Sequence, residues 1–485
     1  MISNKNTIAR NYIYNILYQV VILISPLITT PYVSRVLGVT GIGVYNYTRS
    51  IATYFVLIGS VGTTLYGQRE IAYNQDAPKK YSKCFWEITI FRFIMISICT
   101  VIYLFTFGND PNYQMVYRTL AIEVFATAFD ISWFFMGMEN FKITVIRNTI
   151  IKVIGIILVF VFVKSEKDII LYTLCLTLPI LVGNVSLWFS LPQYLVKTKV
   201  NLSGIFHRIK PILILFIPQM ATEIYTVLDK TMLGVLSTNI DEVGFYTQSE
   251  KITKIVLMII TSLGTVMLPA MSFAYAQGKT KEIISSIQKG FSFIFLSGFA
   301  LLFGLDAIVK NFVPFFFGTG YDEVVPLIIV ISPILIIIGT SNVIGRQYLL
   351  PTQQQAIYTG SVIGGSVVNI IMNFILIPHH NAIGASVATV IAEFTVTFIQ
   401  CWFVRKQLPL RKIFTNGIKY LVLAFIMGCI VYITGDILGS GVCVLVIQIL
   451  VGIAVYLFEL FITKDQFLLE GIRIISGRIR NRKIS

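Results

Sequence analysis

Apolar positions in this chain run on in blocks of about twenty residues, separated by short polar loops, instead of alternating with polar ones. Segments such as Ile151–Val163 and Val442–Ile453 are apolar around almost their whole circumference. A helix needs roughly 20 apolar residues to cross a hydrocarbon core of about 30 Å. Barrel strands would alternate polar and apolar residues over about ten positions, and an open sheet edge has no partner in lipid. The blocks therefore predict membrane-spanning helices, over 11–36, 43–66, 88–107, 116–138, 145–163, 169–190, 211–236, 243–268, 290–313, 324–350, 357–377, 383–403, 417–435 and 441–461. The expected fold is all-α, a polytopic membrane protein of fourteen transmembrane helices.

Composition adds that little remains for a soluble domain: 56% of residues are hydrophobic and 13% charged, with a mean hydropathy of +0.80. The polar start, Met1–Arg10, precedes a first span without a small-residue cleavage pattern, so that span reads as a retained helix. Cys84, Cys99, Cys175, Cys401, Cys429 and Cys443 show no paired spacing, which suggests neither a disulfide framework nor a metal site. His207, His379 and His380 fall in predicted loops. No Walker loop, HExxH, GxSxG or local nucleophile–base pair occurs, so no enzymatic activity and no cofactor are expected.

The net charge of +15 points to the membrane surface and not to nucleic acid, because its distribution is alternating. Lys5, Arg10, Arg69, Lys79, Lys80, Lys83, Lys197, Lys199, Arg208, Lys210, Lys279, Lys281, Arg405, Lys406, Arg411 and Lys412 lie on one side with the tail. Asp110, Asp241, Glu242, Asp322, Glu323 and Asp436 lie on the other, with Lys164 and Lys167. The positive-inside rule makes the first side, and both termini, cytoplasmic.

An internal repeat sets the domain organisation. Leu37-Gly38-Val39, Gly43-Val44-Tyr45, Gly62-Thr63 and Ala72-Tyr73-Asn74-Gln75 recur in order as Leu233-Gly234-Val235, Gly244-Phe245-Tyr246, Gly264-Thr265 and Ala274-Tyr275-Ala276-Gln277, and Trp188-Phe189 recurs as Trp402-Phe403. Six helices per copy make the repeats parallel, related by an axis along the membrane normal. The expected domains are an N-terminal lobe over 1–208, a C-terminal lobe over 209–404, accessory helices thirteen and fourteen over 405–463, and a basic tail over 464–485. That tail reads either as an interfacial helix drawn to anionic lipid or as a disordered basic anchor. Pro26, Pro31 and Pro218 fall in the first helix of each repeat, where a proline can bend a gate helix.

Charge inside the spans is the candidate chemistry, since a mid-membrane charge costs about 2.5–3.5 kcal/mol on insertion scales and normally faces protein or water. Arg35, Arg49, Arg92, Glu123, Asp130, Arg147, Lys152, Glu223, Asp229, Lys230, Glu250, Lys251, Lys254, Arg346 and Glu393 all fall within spans. Arg92, Arg147 and Arg346 lie near enough to the cytoplasmic ends to snorkel, whereas Arg49, Glu223, Asp229, Lys230, Glu250, Lys251 and Lys254 are deeper. Cavity candidates for an anionic substrate are Arg49, Lys230, Lys251 and Lys254, with Arg35 and Lys152 behind them. Glu223, Asp229 and Glu250 are candidates for ion coupling or gating. Asp229-Lys230 and Glu250-Lys251 share one level below the turn at Ser237–Asp241, so cross-helix pairing is expected there, and Arg49 stands at the repeat position of Glu250.

The segments Asn11-Tyr12-Ile13-Tyr14-Asn15, Pro31-Tyr32-Val33-Ser34-Arg35-Val36-Leu37-Gly38 and Gly41-Ile42-Gly43-Val44-Tyr45 resemble the opening of the polysaccharide transporter family. So do Trp133-Phe134-Phe135-Met136-Gly137-Met138-Glu139 with Ile146-Arg147-Asn148, and Leu228-Asp229-Lys230-Thr231-Met232-Leu233-Gly234. This family lies within the multidrug/oligosaccharidyl-lipid/polysaccharide exporter superfamily, and the resemblance runs the full length. It implies a flippase for undecaprenyl-pyrophosphate-linked oligosaccharide repeat units, moved from the cytoplasmic to the outer leaflet of a bacterial plasma membrane for capsule, O-antigen or exopolysaccharide assembly. Alternating access, proton or sodium coupling, and polysaccharide-assembly enzymes as neighbours would follow. The alternatives are a peptidoglycan-precursor flippase, a cation-coupled multidrug exporter of the same superfamily, and a non-transporting scaffold.

Overall fold

The computed structural model describes residues 5–465, with side chains from residue 21 onward apart from scattered positions between 202 and 269. The tail beyond Asp465 and the Pro218 ring lie outside the described residues. Helices account for every regular element, and no strand occurs among the described residues. Two compact units divide the chain between Gly244 and Phe245.

The first unit begins with α1 (Lys5–Ser60), which is two helices joined at one residue, Gly38, with φ 68° and ψ −177°. Only glycine enters that region without strain, so spans one and two meet almost without a loop. Pro26 and Pro31 sit inside regular helix, and the interruption in α1 is at Gly38. Next come α2 (Thr63–Tyr73), α3 (Pro78–Phe107) and α4 (Gln114–Ala126). A 3₁₀ turn at Thr127–Phe129 leads into the short α5 (Ser132–Gly137), so span four is broken at Asp130 and Ile131. Then α6 (Phe141–Phe162), α7 (Ile169–Ser186) and α8 (Leu202–Leu236) complete the unit's helices, and α9 (Asp241–Ala276) starts in it. An aromatic cluster of Phe85, Trp133, Phe134 and Phe135, all with no exposed surface, anchors α3 to α5.

The second unit holds the rest of α9, then α10 (Thr280–Phe317), α11 (Val324–Ile331), α12 (Ile334–Ile344) with a π turn at Gly345–Leu349, α13 (Gln355–Val404), α14 (Leu410–Leu438) and α15 (Val442–Ile462). Its core packs Phe291 and Phe295 of α10 with Leu335 and Val343 of α12 and with Ala424 and Met427 of α14. Like α1, α13 is two helices, broken at Asn381 (φ 46°, ψ −126°). His379 and His380, expected in a loop, belong to the last helical turn before that break. The chain reverses there without leaving helical hydrogen bonding for long, and this hid the turn from a loop-based reading.

Ten stretches among the described residues are long and apolar enough to cross a membrane. Two of them, Val21–Tyr73 and Gln355–Val404, contain 53 and 50 residues, each enough for two passes. The charge-bearing α8 and α9, of 35 and 36 residues, are not among the ten. Exposed apolar side chains such as Ile157, Phe374 and Phe458 cover the helix surfaces, as contact with hydrocarbon requires. The protein is a multi-pass, all-helical membrane protein.

Candidate functional site

The charged interior of the first unit is built around Arg49, on the second half of α1. Its Nη2 lies 3.0 Å from Oε1 of Glu123 on α4, and its Nε donates to the same carboxylate at 3.3 Å. Tyr45, one turn earlier, presents its ring 5.9 Å from the guanidinium and itself packs edge-on to Tyr172 of α7 at 4.9 Å. Lys152 of α6 is exposed and within electrostatic range of Arg49. Arg49 keeps 46% of its side-chain surface open and Glu123 only 17%. An ion pair this accessible contributes about 0–1 kcal/mol. The guanidinium can therefore exchange Glu123 for another anion at small cost.

The same half of α1 runs along the C-terminal half of α8. Gly43 and Gly244, equivalent positions of the sequence repeat, lie where the backbones cross, and a Cβ on Gly244 would overlap the carbonyl of Val39. Farther along, Thr231 Oγ1 is 2.8 Å from Ser50 Oγ and 3.1 Å from Tyr54 Oη. Thr40 closes the crossing by donating to Asp241 at 2.6 Å. Asp229 is buried on α8 beside this seam, and Lys230 is half-buried. On α9, Glu250 is buried and takes Lys254, one turn on, at 2.5 Å, while Lys251 is half-buried. Arg35 is exposed and donates to the Pro31 carbonyl of its own helix at 3.2 Å, and Glu223 is exposed on α8. The structure thus joins Arg49 and Lys152 around Glu123, and Glu250 with Lys254.

Two arginines expected to snorkel do not. Arg92 is 2% exposed, and its guanidinium donates to the Thr127 carbonyl at 3.0 Å and to Thr64 and Thr63 hydroxyls at 3.0 and 3.3 Å. Asp130, in the break of span four, lies 3.7 Å from Arg92 and 3.5 Å from Arg147. Arg147, 13% exposed, also donates to Asn184 at 3.0 Å. Sequence depth placed both near the interface, but the break in α4 frees a carbonyl and a carboxylate to meet them inside. By contrast, Arg346 is exposed, as snorkelling requires.

Other ionic groups escaped the sequence reading. Glu87 of α3 is fully buried and bonds Arg208 Nε at 2.7 Å, while Arg208 Nη1 donates to Tyr66 at 3.1 Å. These residues line a cleft of about 440 Å³ with Glu70, Lys80 and Lys83. Asp306 of α10 accepts from Ser332 at 3.1 Å on one carboxyl oxygen, and the other is buried. An acid within or at the edge of an apolar run was the available signal for both.

A broken-helix, multi-pass fold with basic residues in its interior defines the class of a membrane transporter-like protein. A family model described as "Polysaccharide biosynthesis protein" matches residues 8–275, more than half of the chain, and the chain belongs to that family. A relative from Escherichia coli K12 named "Putative O-antigen transporter" is 25% identical over 84% of this chain and 99% of its own length. A protein of the same name from Shigella dysenteriae is 22% identical, covering 76% and 92%. Among solved structures, the lipid II flippase MurJ in an inward closed conformation superposes with a TM-score of 0.77 at 17% identity, over 93% of this chain and 99% of that one. An inward-facing multidrug transporter of the MATE family gives 0.59 at 12% identity, covering 81% and 99%. At these identities the structural likeness establishes the fold.

Proposed function

We propose that this protein is a flippase that carries undecaprenyl-pyrophosphate-linked oligosaccharide repeat units across a bacterial plasma membrane by alternating access, with both termini cytoplasmic. Family membership and the O-antigen names of two relatives support the polysaccharide-related substrate. The observation that carries the reading is the half-open Arg49 guanidinium, held by a carboxylate it can leave. A pyrophosphate offers stronger, multiply charged hydrogen bonds than one carboxylate. Lys230, Lys251 and Lys254 add positive potential, with Arg35 and Lys152 as secondary contributors. Asp229 and Glu250 tie down neighbouring charges when the site closes. Glu223 takes up a proton or sodium ion if transport is coupled. The domain plan of two lobes, 1–208 and 209–404, with accessory helices 405–463, belongs to the same proposal.

Replacing Arg49, Lys230, Lys251 and Lys254 together by Gln should abolish surface polysaccharide while membrane levels of the protein stay normal. Lipid-linked repeat units should then accumulate on the cytoplasmic leaflet. Normal polysaccharide export by a stably inserted quadruple variant would sink the proposal.

A further inference from the structure

The largest furrow in the first unit serves none of the roles assigned above. It has a volume of about 770 Å³ and runs between α6 and α7. One wall is a row of side chains at helical spacing on α6, Ile143, Ile146, Ile150 and Ile154, ending at Leu158. On α7 the facing wall includes Pro179 and Gly183, whose small profile leaves the furrow open. Ile150 and Ile154 are 52% and 44% exposed. The mouth is polar and basic: Lys142 and Arg147 stand there with Asn140 and Ser190, and no acidic residue lines the furrow.

Charge and length decide between occupants. Behind the mouth, Arg92 and Arg147 share the single carboxylate Asp130, which leaves a net charge of +1 over those three groups. Lys142 adds a second positive charge at the mouth. An anionic headgroup is favoured there, because a low-dielectric rim strengthens charge-assisted hydrogen bonds. From Lys142 to Leu158 the furrow follows α6 for about 24 Å at 1.5 Å per residue. One leaflet of the hydrocarbon core is only about 15 Å deep, so the furrow continues past the reach of a single-leaflet acyl chain.

We propose that this furrow holds the chain of a polyprenyl phosphate, with its phosphate at the Lys142–Arg147 mouth. This rests on the flippase reading and names where the carrier lipid docks while its headgroup is handled elsewhere. A long isoprenoid fills the whole apolar wall, whereas a phospholipid leaves its far half empty.

The test uses the purified full-length protein in neutral phosphatidylcholine nanodiscs with a diazirine-bearing polyprenyl phosphate. Crosslinks should map to peptides carrying Ile150 and Val182. Filling the furrow from its lipid side, with Ile150→Trp and Ile154→Trp, should remove most of that labelling. Lys142→Gln should weaken it roughly tenfold, as expected for the loss of one charge-assisted contact. Excess unlabelled polyprenyl phosphate should compete and excess phosphatidylglycerol should not. Equal competition by phosphatidylglycerol, or labelling unchanged in the double Trp variant, would overturn the proposal. The groove and the flippase reading fail separately. Lost labelling specificity with export still abolished by the quadruple Gln variant removes the groove alone. Intact labelling with normal export in that variant removes the transport reading on which the groove's role depends.

Discussion

The interiors of the two units solve the same problem with different chemistry. In the first, guanidinium and carboxylate groups meet inside the bundle: Arg92 and Arg147 on Asp130, Arg208 on Glu87, and Arg49 on Glu123. The second leans on neutral amides. Gln400 bridges Ser341 and Ser361 at 3.1 and 3.0 Å, Asn373 donates to Asn369 at 3.2 Å, and Gln448 donates to the Val431 carbonyl at 3.0 Å. A buried amide costs far less to desolvate than a buried ion and tolerates the loss of one partner better. The ionic unit therefore has a stronger electrostatic field and more to lose. That asymmetry suits a division of labour in which the first unit meets an anionic headgroup.

The contrast can be broken at its strongest point with Asp130→Ala. Two largely buried guanidiniums would then lack their shared counter-ion, and breaking such a pair costs about 3 kcal/mol or more. Thermal unfolding in detergent should show a large fall in midpoint, with reduced yield from the membrane. A wild-type midpoint would show that Asp130 is not the group that neutralises Arg92. Gln400→Leu, the matching lesion in the second unit, should cost about 1–2 kcal/mol through two lost hydrogen bonds. If it proved as damaging as Asp130→Ala, the distinction between ionic and amide interiors would not stand.

The smallest effect belongs to a loop. Backbone N–H groups of Lys164 and Ser165, both 2.8 Å from Asp168, hold that carboxyl below the usual carboxylate range. A depressed folded-state pKa stabilises at pH values above the unfolded value of about 3.9, and the gain is lost as pH falls through the folded value. Asp168→Asn should therefore slightly lower the midpoint at pH 7 and flatten its decline below pH 4. Parallel acid profiles for the two proteins would remove Asp168 from the list of acid-sensitive contacts.

Much of the fold was legible because length and hydropathy are local properties. Apolar runs such as Leu410–Leu438 and Val442–Ile462 form helices wherever they pack, since lipid leaves their backbone no other partner. The near-loopless joins at Gly38 and Asn381 were harder to read: the first was visible as a conserved-looking spacing within the repeat, whereas the second was hidden by flanking residues that continue the helix. Site residues were legible as a set, because charges in apolar runs stand out, but not as pairs. Nothing around Arg92 and Arg49 in sequence distinguishes the arginine sealed behind Thr127 and Asp130 from the one left half open.

The sequence by itself determined that the chain is a helical, multi-pass membrane protein with charges it must shelter, and the repeat placed Gly43 and Gly244 in equivalent positions. Tertiary structure alone decided that those two glycines cross, that Asp130 serves two arginines, and that the α6–α7 furrow has a basic mouth. The physical reason is the solvent. In water a buried face is marked by its apolar side chains, but hydrocarbon is as apolar as the protein core. A membrane helix therefore shows in its sequence that it is inserted, while its partners are chosen by packing and charge across residues far apart in the chain.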